Sequence, residues 1–320
     1  RQLAPGAMAF VMATGIISIG LHLEGITLGS VVLLWAAAIG YVVLMTATVA
    51  RLLLDRSEMR ADLSDPGRAF GYFTFVAGTN VLATRFAVDG HLTAPLVGLG
   101  IAGLAWFVLG YLVPWFVVVD ARGTDLTRRV DGSWFVWVVA SQSVAVLAAT
   151  LEPHVGVGAG NVLAILAVLG WGTGLGLYLV MGTALVIRVL RHGIPADELS
   201  PTFWVVMGAL AISVLAASRL VTLGAHPIGD AIRPLAAGLA IALWAFAVWL
   251  VIPLAALGWW RHVRRRVPLR YSSAQWAGVF PLGMFAVASL GRGAADAVPV
   301  IRSVGWGFLW VAVAAWLAVA

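Results

Sequence analysis

The chain has 320 residues, of which 62% are hydrophobic and only 11% charged. A soluble domain carries about 45–50% apolar and about 25% charged residues, so this excess cannot be hidden in one soluble core and belongs in a bilayer. The chain has no Cys, which excludes disulfides, thiolate metal sites and cysteine nucleophiles together, and its formal charge of +6 rests on arginine alone. That charge would suggest nucleic-acid binding only on a folded soluble surface, and the arginines fall instead between apolar runs.

A spanning helix needs roughly 20 apolar residues, and the apolar runs are too long for a barrel of alternating strands of about ten residues. Breaks at charge, Gly and Pro clusters predict ten spans in a single transmembrane domain: 5–22, 28–54, 69–88, 94–119, 133–151, 158–190, 201–222, 231–260, 274–291 and 299–320. The first has neither a charged leader nor a small-residue cleavage site, so it reads as a structural helix and not a signal peptide. It carries Met12, Thr14, Gly15 and Ser18. The third carries Phe73, Ala77 and Asn80 and closes on Arg85; the fifth carries Val139 and Ser143. The seventh holds Met207, Ala211 and Arg219, and the ninth holds Phe280, Pro281 and Arg292. Four of the six His (His22, His91, His154, His226) fall near outer ends or connectors, without metal-ligand spacing, and no cofactor is expected.

Ten spans place both termini on one side. Fifteen of the twenty arginines fall there, with only Arg85, Arg219, Arg233, Arg292 and Arg302 opposite. Cytoplasmic loops carry the positive excess, so both termini are expected in the cytoplasm of a bacterial-type inner membrane. The basic run Arg261 to Arg270 is expected at anionic headgroups.

The odd-numbered spans resemble one another. Val146-Leu147-Ala148-Ala149-Thr150 matches Val214-Leu215-Ala216-Ala217-Ser218, Leu82-Ala83-Thr84-Arg85 matches Ala216-Ala217-Ser218-Arg219, and Leu290-Gly291-Arg292 falls in the same frame. The period is one helical hairpin. Odd spans carry the small polar residues, including Thr14, Ser18, Thr79, Asn80, Ser141, Gln142, Ser143, Ser213 and Ser289. Even spans are longer and carry Trp35, Trp106, Trp115, Trp244 and Trp249. Polar groups in a membrane face the bundle interior or water. The expected fold is therefore an all-α membrane protein of five helical hairpins in quasi-fivefold arrangement around a central pore, lined by the odd helices.

Pro5-Gly6 with Phe10-Val11-Met12-Ala13-Thr14-Gly15, Phe75-Val76-Ala77-Gly78-Thr79-Asn80, Trp134-Phe135 with Gln142-Ser143, and Trp276-Ala277-Gly278-Val279-Phe280-Pro281 resemble the tellurite-resistance/dicarboxylate transporter family, which includes the slow-type anion channels of plant guard cells. The resemblance covers essentially all ten spans. It implies a homotrimer of independent anion pores, each gated by a Phe on the ninth span. The matching position is Phe280, before Pro281. The family's inner helices are often bent by Pro, whereas Pro281 alone sits mid-span on an inner helix here, leaving Gly15, Gly78 and Gly208 to supply other bends.

In the repeat frame Phe280 falls level with Met12, Phe73, Val139 and Met207, an apolar layer that would gate by dewetting and occlusion; the alternative is ordinary packing between helices. One to two turns outward come Gly15, Ala77, Asn80, Ser143 and Ala211. No ionisable residue lies mid-span in an odd helix, whereas coupled carriers place such groups or broken helices at the midplane. Arg85, Arg219 and Arg292 are expected to form a positive outer mouth that concentrates anions, or else to snorkel or pair with Asp89, Glu152 or Asp296. A passive anion channel or facilitator is the leading expectation. A secondary transporter of C4-dicarboxylates or of an oxyanion such as tellurite is the alternative. The sequence lacks Gly-x-Ser-Gly, HExxH and Cys, so an intramembrane enzyme is not expected.

Overall fold

A computed structural model describes residues 3–120, 125–224, 226–269, 271–295 and 298–320. Arg1, Arg122, Arg270 and Asp296 lie outside the described residues. Eleven helices make up the described chain: α1 (Ala9–Leu23), α2 (Thr27–Leu54), α3 (Arg56–Ser64), α4 (Phe73–Val88), α5 (Thr93–Asp120), α6 (Phe135–Leu151), α7 (Val157–His192), α8 (Val205–Val221), α9 (Pro227–Trp259), α10 (Trp276–Ala295) and α11 (Pro299–Val319). The short polar α3 has no counterpart among the expected elements. It seats Asp62, which binds Arg51 at 2.6 Å and Arg68 at 3.0 Å and so ties the end of α2 to the approach to α4.

Nine helices, alone or with flanking turns, are long and apolar enough among the described residues to cross a membrane. The other long element, α4, has 16 residues and includes Thr74, Thr79, Asn80, Thr84 and Arg85, which lower its hydropathy. Each of α1, α4, α6, α8 and α10 is preceded by a 3-10 turn: Pro5–Met8, Ala69–Tyr72, Gly132–Trp134, Pro201–Trp204 and Ser273–Gln275. That shared entry recurs once per hairpin.

Burial separates two populations of helix. The spans built on α1, α6, α8 and α10 are 67% to 89% buried, whereas those built on α2, α5, α7, α9 and α11 are 17% to 33% buried, although four of these five are at least as hydropathic as any inner span. Apolar helices that stay exposed in the isolated chain, with Trp35, Trp115, Trp249 and Ile252 on their surfaces, are suited to hydrocarbon. α4 belongs to the buried set, with Phe73, Val76, Ala77, Gly78 and Asn80 in the interior. The buried helices close a ring in which α1 packs on α4, α4 on α6, α6 on α8, α8 on α10 and α10 back on α1. Each outer helix packs on the inner helix before it in sequence, as α1 with α2 and α10 with α11.

A second set of contacts links each hairpin to the next. Tyr41 of α2 meets the Thr79 hydroxyl of α4 at 3.0 Å. Trp106 of α5 donates its indole N–H to Ser141 Oγ of α6 at 2.8 Å, and Trp171 of α7 donates to the Ser213 carbonyl of α8 at 3.2 Å. Trp244 of α9 donates to Ser289 Oγ of α10, and Trp316 of α11 donates to Thr14 Oγ1 of α1, both at 2.9 Å. An indole or phenol on a lipid-facing helix has no water to bond, so it takes a partner from protein. These five links run once around the ring.

Two glycine contacts set how closely helices approach. A Cβ at Gly170 would lie 2.9 Å from the Ser141 carbonyl, and Gly174 likewise faces Gln142, whereas Gly172 and Gly176 face open space. One face of that glycine-rich stretch therefore packs α7 on α6 within the chain. At Gly208 of α8 a Cβ would lie 2.9 Å from Pro281 Cβ and 3.1 Å from its Cα. Overpacking of this kind costs about 1–3 kcal/mol, so Gly208→Val is expected to lower the melting temperature of the detergent-solubilised protein by several degrees.

Candidate functional site

The axis of the ring holds a small void. It is lined by Ile16 and Ile19 of α1, Asn80, Val81 and Thr84 of α4, Ser143 and Val146 of α6, Ile212 and Leu215 of α8, and Met284 of α10, so all five inner helices contribute. At about 20 Å³ it has room for one water molecule. None of the lining side chains is ionisable. Its polar groups are clustered: Asn80 Nδ2 donates to Ser143 Oγ at 2.9 Å, while the Ser143 hydroxyl donates to the Ala140 carbonyl and Thr84 to the Asn80 carbonyl. Asn80 is fully buried, and its Oδ1 has no hydrogen-bond partner among the described residues. A buried amide atom left unpaired costs free energy unless a ligand or water reaches it, and here the neighbouring space is the void itself.

Four residues earlier than Met284 on α10 stands Phe280, fully buried and followed by Pro281, which fits over Gly208 of α8. Met207, beside Gly208, and Val139 are also fully buried, and Met12 is 2% exposed. Pro281 lies inside α10; a proline there removes a backbone hydrogen bond and kinks the helix. Phe73 is held differently. Its ring stacks on Trp137 at 5.6 Å and on Phe70 at 6.3 Å, and Phe70 stacks in turn on Trp134. This aromatic stack sits where α4 and α6 begin.

Several residues expected to line the axis have other partners. Thr14 accepts the Trp316 indole, and Ser18 donates to the Ser30 carbonyl of α2 at 2.7 Å. Both hydroxyls therefore serve outer helices, because those helices bring donors and carbonyls that need partners away from water. Gly15 accommodates Val81, which a Cβ would meet at 2.9 Å. Ala77 and Ala211 are fully buried and are not among the residues around the void. Asn80 and Ser143 line it.

The three outer arginines differ sharply in their surroundings. Arg85 is 1% exposed and lies 2.5 Å from Asp89 Oδ1. Its Nε donates to Ser18 Oγ at 3.2 Å, and its Nη2 donates to Ser30 Oγ at 3.0 Å and lies 3.2 Å from His22 Nδ1. It is the hub of a polar cluster joining α1, α2 and α4. Of the two alternatives for this position, an open outer mouth or local pairing, Arg85 takes the pairing with Asp89. Arg292 is buried and engaged with other groups. Arg219, at the end of α8, is half-buried, and no ion pair or side-chain hydrogen bond to it is found among the described residues. His226 is paired rather than isolated: it contacts Glu152, whose other oxygen accepts from the Gly224 backbone N–H at 3.3 Å. No group of three or more His, Asp or Glu suited to a metal occurs among the described residues.

An all-helical membrane protein with a buried inner helix ring, an uncharged axial void and a lipid-suited outer layer belongs to the class of membrane channels and transporters. The chain is a member of the SLAC1 family, described as voltage-dependent anion channel, which it matches over residues 2–320. It is similar to a Mycobacterium tuberculosis protein named as an uncharacterized membrane protein, with 41% identity over 140 residues, 44% of this chain and 71% of the relative. It is also similar to two Methanocaldococcus jannaschii proteins, each named as an uncharacterized transporter. One is 24% identical over 319 residues, covering 97% of this chain and 89% of the relative; the other is 23% identical over 216 residues, covering 67% and 60%.

Proposed function

We propose that the protein is a passive anion channel or facilitator, closed by Phe280 and conducting along the axis of its inner helix ring. In this reading all ten long helices, α4 included, span an inner membrane as five hairpins in quasi-fivefold arrangement, with both termini in the cytoplasm and three chains to an assembly. The observation that carries the proposal is the axial void: five helices surround it, none brings a charge, and Asn80 and Ser143 supply its dipoles. Conduction needs binding weak enough for release, and a charged site would hold the ion. Phe280, with Met12, Val139 and Met207, closes the path one turn away; Phe73 supports that level through its stack on Trp137.

Arg219 is the outer group whose charge is available to attract anions, since Asp89 neutralises Arg85. Electrostatic focusing of this kind fades with ionic strength. Arg219→Gln is expected to lower anion conductance at least about twofold at low salt and to approach wild type at high salt, as read by conductance against chloride concentration.

The word transporter in the names of the Methanocaldococcus jannaschii relatives favours a second reading, a secondary transporter, for which the sequence resemblance suggests C4-dicarboxylates or an oxyanion such as tellurite. Planar-bilayer recording separates the two. A channel gives current that reverses at the equilibrium potential of the permeant anion and persists without a proton gradient. Slow uptake that requires a proton or sodium gradient would select the transporter.

A further inference from the structure

Where α8 and α10 begin and α9 and α11 end, the bundle carries an amphipathic cleft of about 300 Å³, within the range of small-molecule sites. Its floor is apolar, formed by Leu254, Leu257, Val279, Leu282, Ala315 and Val319. Its polar end is basic. Arg261 and His262 stand there on a single π-helical turn, Trp260–Arg264, a distortion often found at functional sites. Arg261 donates through Nη1 to the Leu199 carbonyl, while its Nε is buried without a hydrogen-bond partner among the described residues. The exposed Arg264, Arg265 and Arg266 follow next in the chain, and among the described residues no acidic side chain lines the cleft.

We infer that this cleft is a binding site for an anionic glycerophospholipid of the surrounding bilayer, with its phosphate against Arg261 and His262 and an acyl chain on the apolar floor. Charge complementarity selects the occupant. A neutral lipid gains nothing from the arginine run, and a free anion gains nothing from the floor. A basic pocket at the cytoplasmic ends of spanning helices is a general mode of headgroup recognition. The site also abuts the proposed gate, since Val279 and Leu282 flank Phe280 and Pro281 on the first turns of α10. A chain seated there bears on the turn that carries Phe280, so site occupancy biases opening. This link to opening rests on the channel reading; the lipid site itself does not.

The test uses purified full-length protein loaded with phosphatidylglycerol and phosphatidylcholine in equal amounts, washed, and scored for retained lipid by native mass spectrometry. Phosphatidylglycerol is expected to be retained over phosphatidylcholine by at least about fivefold, the scale of one arginine at an anionic surface. Arg261→Gln combined with His262→Gln removes that preference. Gly258→Phe, at a position where an added Cβ meets open space, fills the cleft with Arg261 intact and also removes it. Excess inorganic phosphate leaves the lipid bound. Equal retention in wild type and in both folded variants, or full displacement by phosphate, overturns the site. For the link to α10, anion flux in vesicles with phosphatidylglycerol is expected to differ at least about twofold from flux in pure phosphatidylcholine, and Arg261→Gln abolishes the difference. Selective retention with identical flux in both vesicles overturns the link and leaves the site standing; no flux in any vesicle counts against the channel reading instead.

Discussion

Shortening Phe280 to Ala is expected to raise anion flux through the reconstituted protein at least about tenfold, a fall of about 1.4 kcal/mol in the permeation barrier. The ring is fully buried at the level where Pro281 fits over Gly208, one turn from the axial void. Its removal joins that void to the space beyond and lets water wet an apolar constriction. Ordinary core packing makes the opposite forecast. Truncating a buried Phe costs about 3–5 kcal/mol, so a purely structural Phe280 would give a less stable protein and no added flux. Phe280→Leu keeps most of the bulk and is expected to stay near the wild-type rate. Flux per folded protein in the order Ala, then Leu, then wild type separates a gate from a packing residue, even where stability falls for both.

The second large effect is one of stability. Arg85→Met is expected to cost about 1–3 kcal/mol, because it leaves the buried Ser18 and Ser30 hydroxyls without their donor and Asp89, 29% exposed, without its cation. Arg85 ties α1, α2 and α4 through Ser18, Ser30, His22 and Asp89, so its loss strikes three helices at once. The readout is a large drop in melting temperature and in monodisperse yield. Pairing it with Asp89→Leu is expected to recover part of the loss, since no carboxylate then remains unpaired. Conductance of the surviving folded Arg85→Met protein is expected to keep the wild-type dependence on salt. Arg219→Gln behaves oppositely, with ordinary stability and altered conductance at low salt. On the channel reading, two arginines in equivalent repeat positions are expected to have different uses, because Asp89 pairs with the first.

The helices were legible in the sequence because apolar runs of membrane length have few other uses, and nine helices among the described residues are long and apolar enough to cross a membrane. The division into inner and outer helices was also legible, since small polar residues gathered on one set and tryptophans on the other. The direction of those polar residues was not. Thr79, Ser141 and Ser289, carried by the odd spans, and Thr14, expected along the pore, each meet an aromatic donor on an outer helix. The available signal was the tryptophans themselves: Trp106, Trp171, Trp244 and Trp316 each bring an N–H that hydrocarbon cannot satisfy. Three of those donors take Ser141, Ser289 and Thr14, while Trp171 takes the Ser213 carbonyl and Thr79 meets Tyr41, and Asn80 and Ser143 remain at the void. For Arg85 the repeat position and the nearby Asp89 pointed to different uses, and only the packing of α1, α2 and α4 around it distinguishes them. The polar α3 escaped notice because it carries no membrane-length pattern. The cleft beside α10 depends on where four helix ends meet, which spacing along the chain does not encode.

The most direct test of a passive, Phe280-closed anion pore is the reversal potential of Phe280→Ala in a planar bilayer, under a chloride gradient, with and without a proton gradient. A pore of this kind gives a steady current that reverses at the chloride equilibrium potential and does not shift when the proton gradient is imposed. A reversal potential that follows the proton gradient, or no current from a variant shown to be folded, would contradict it.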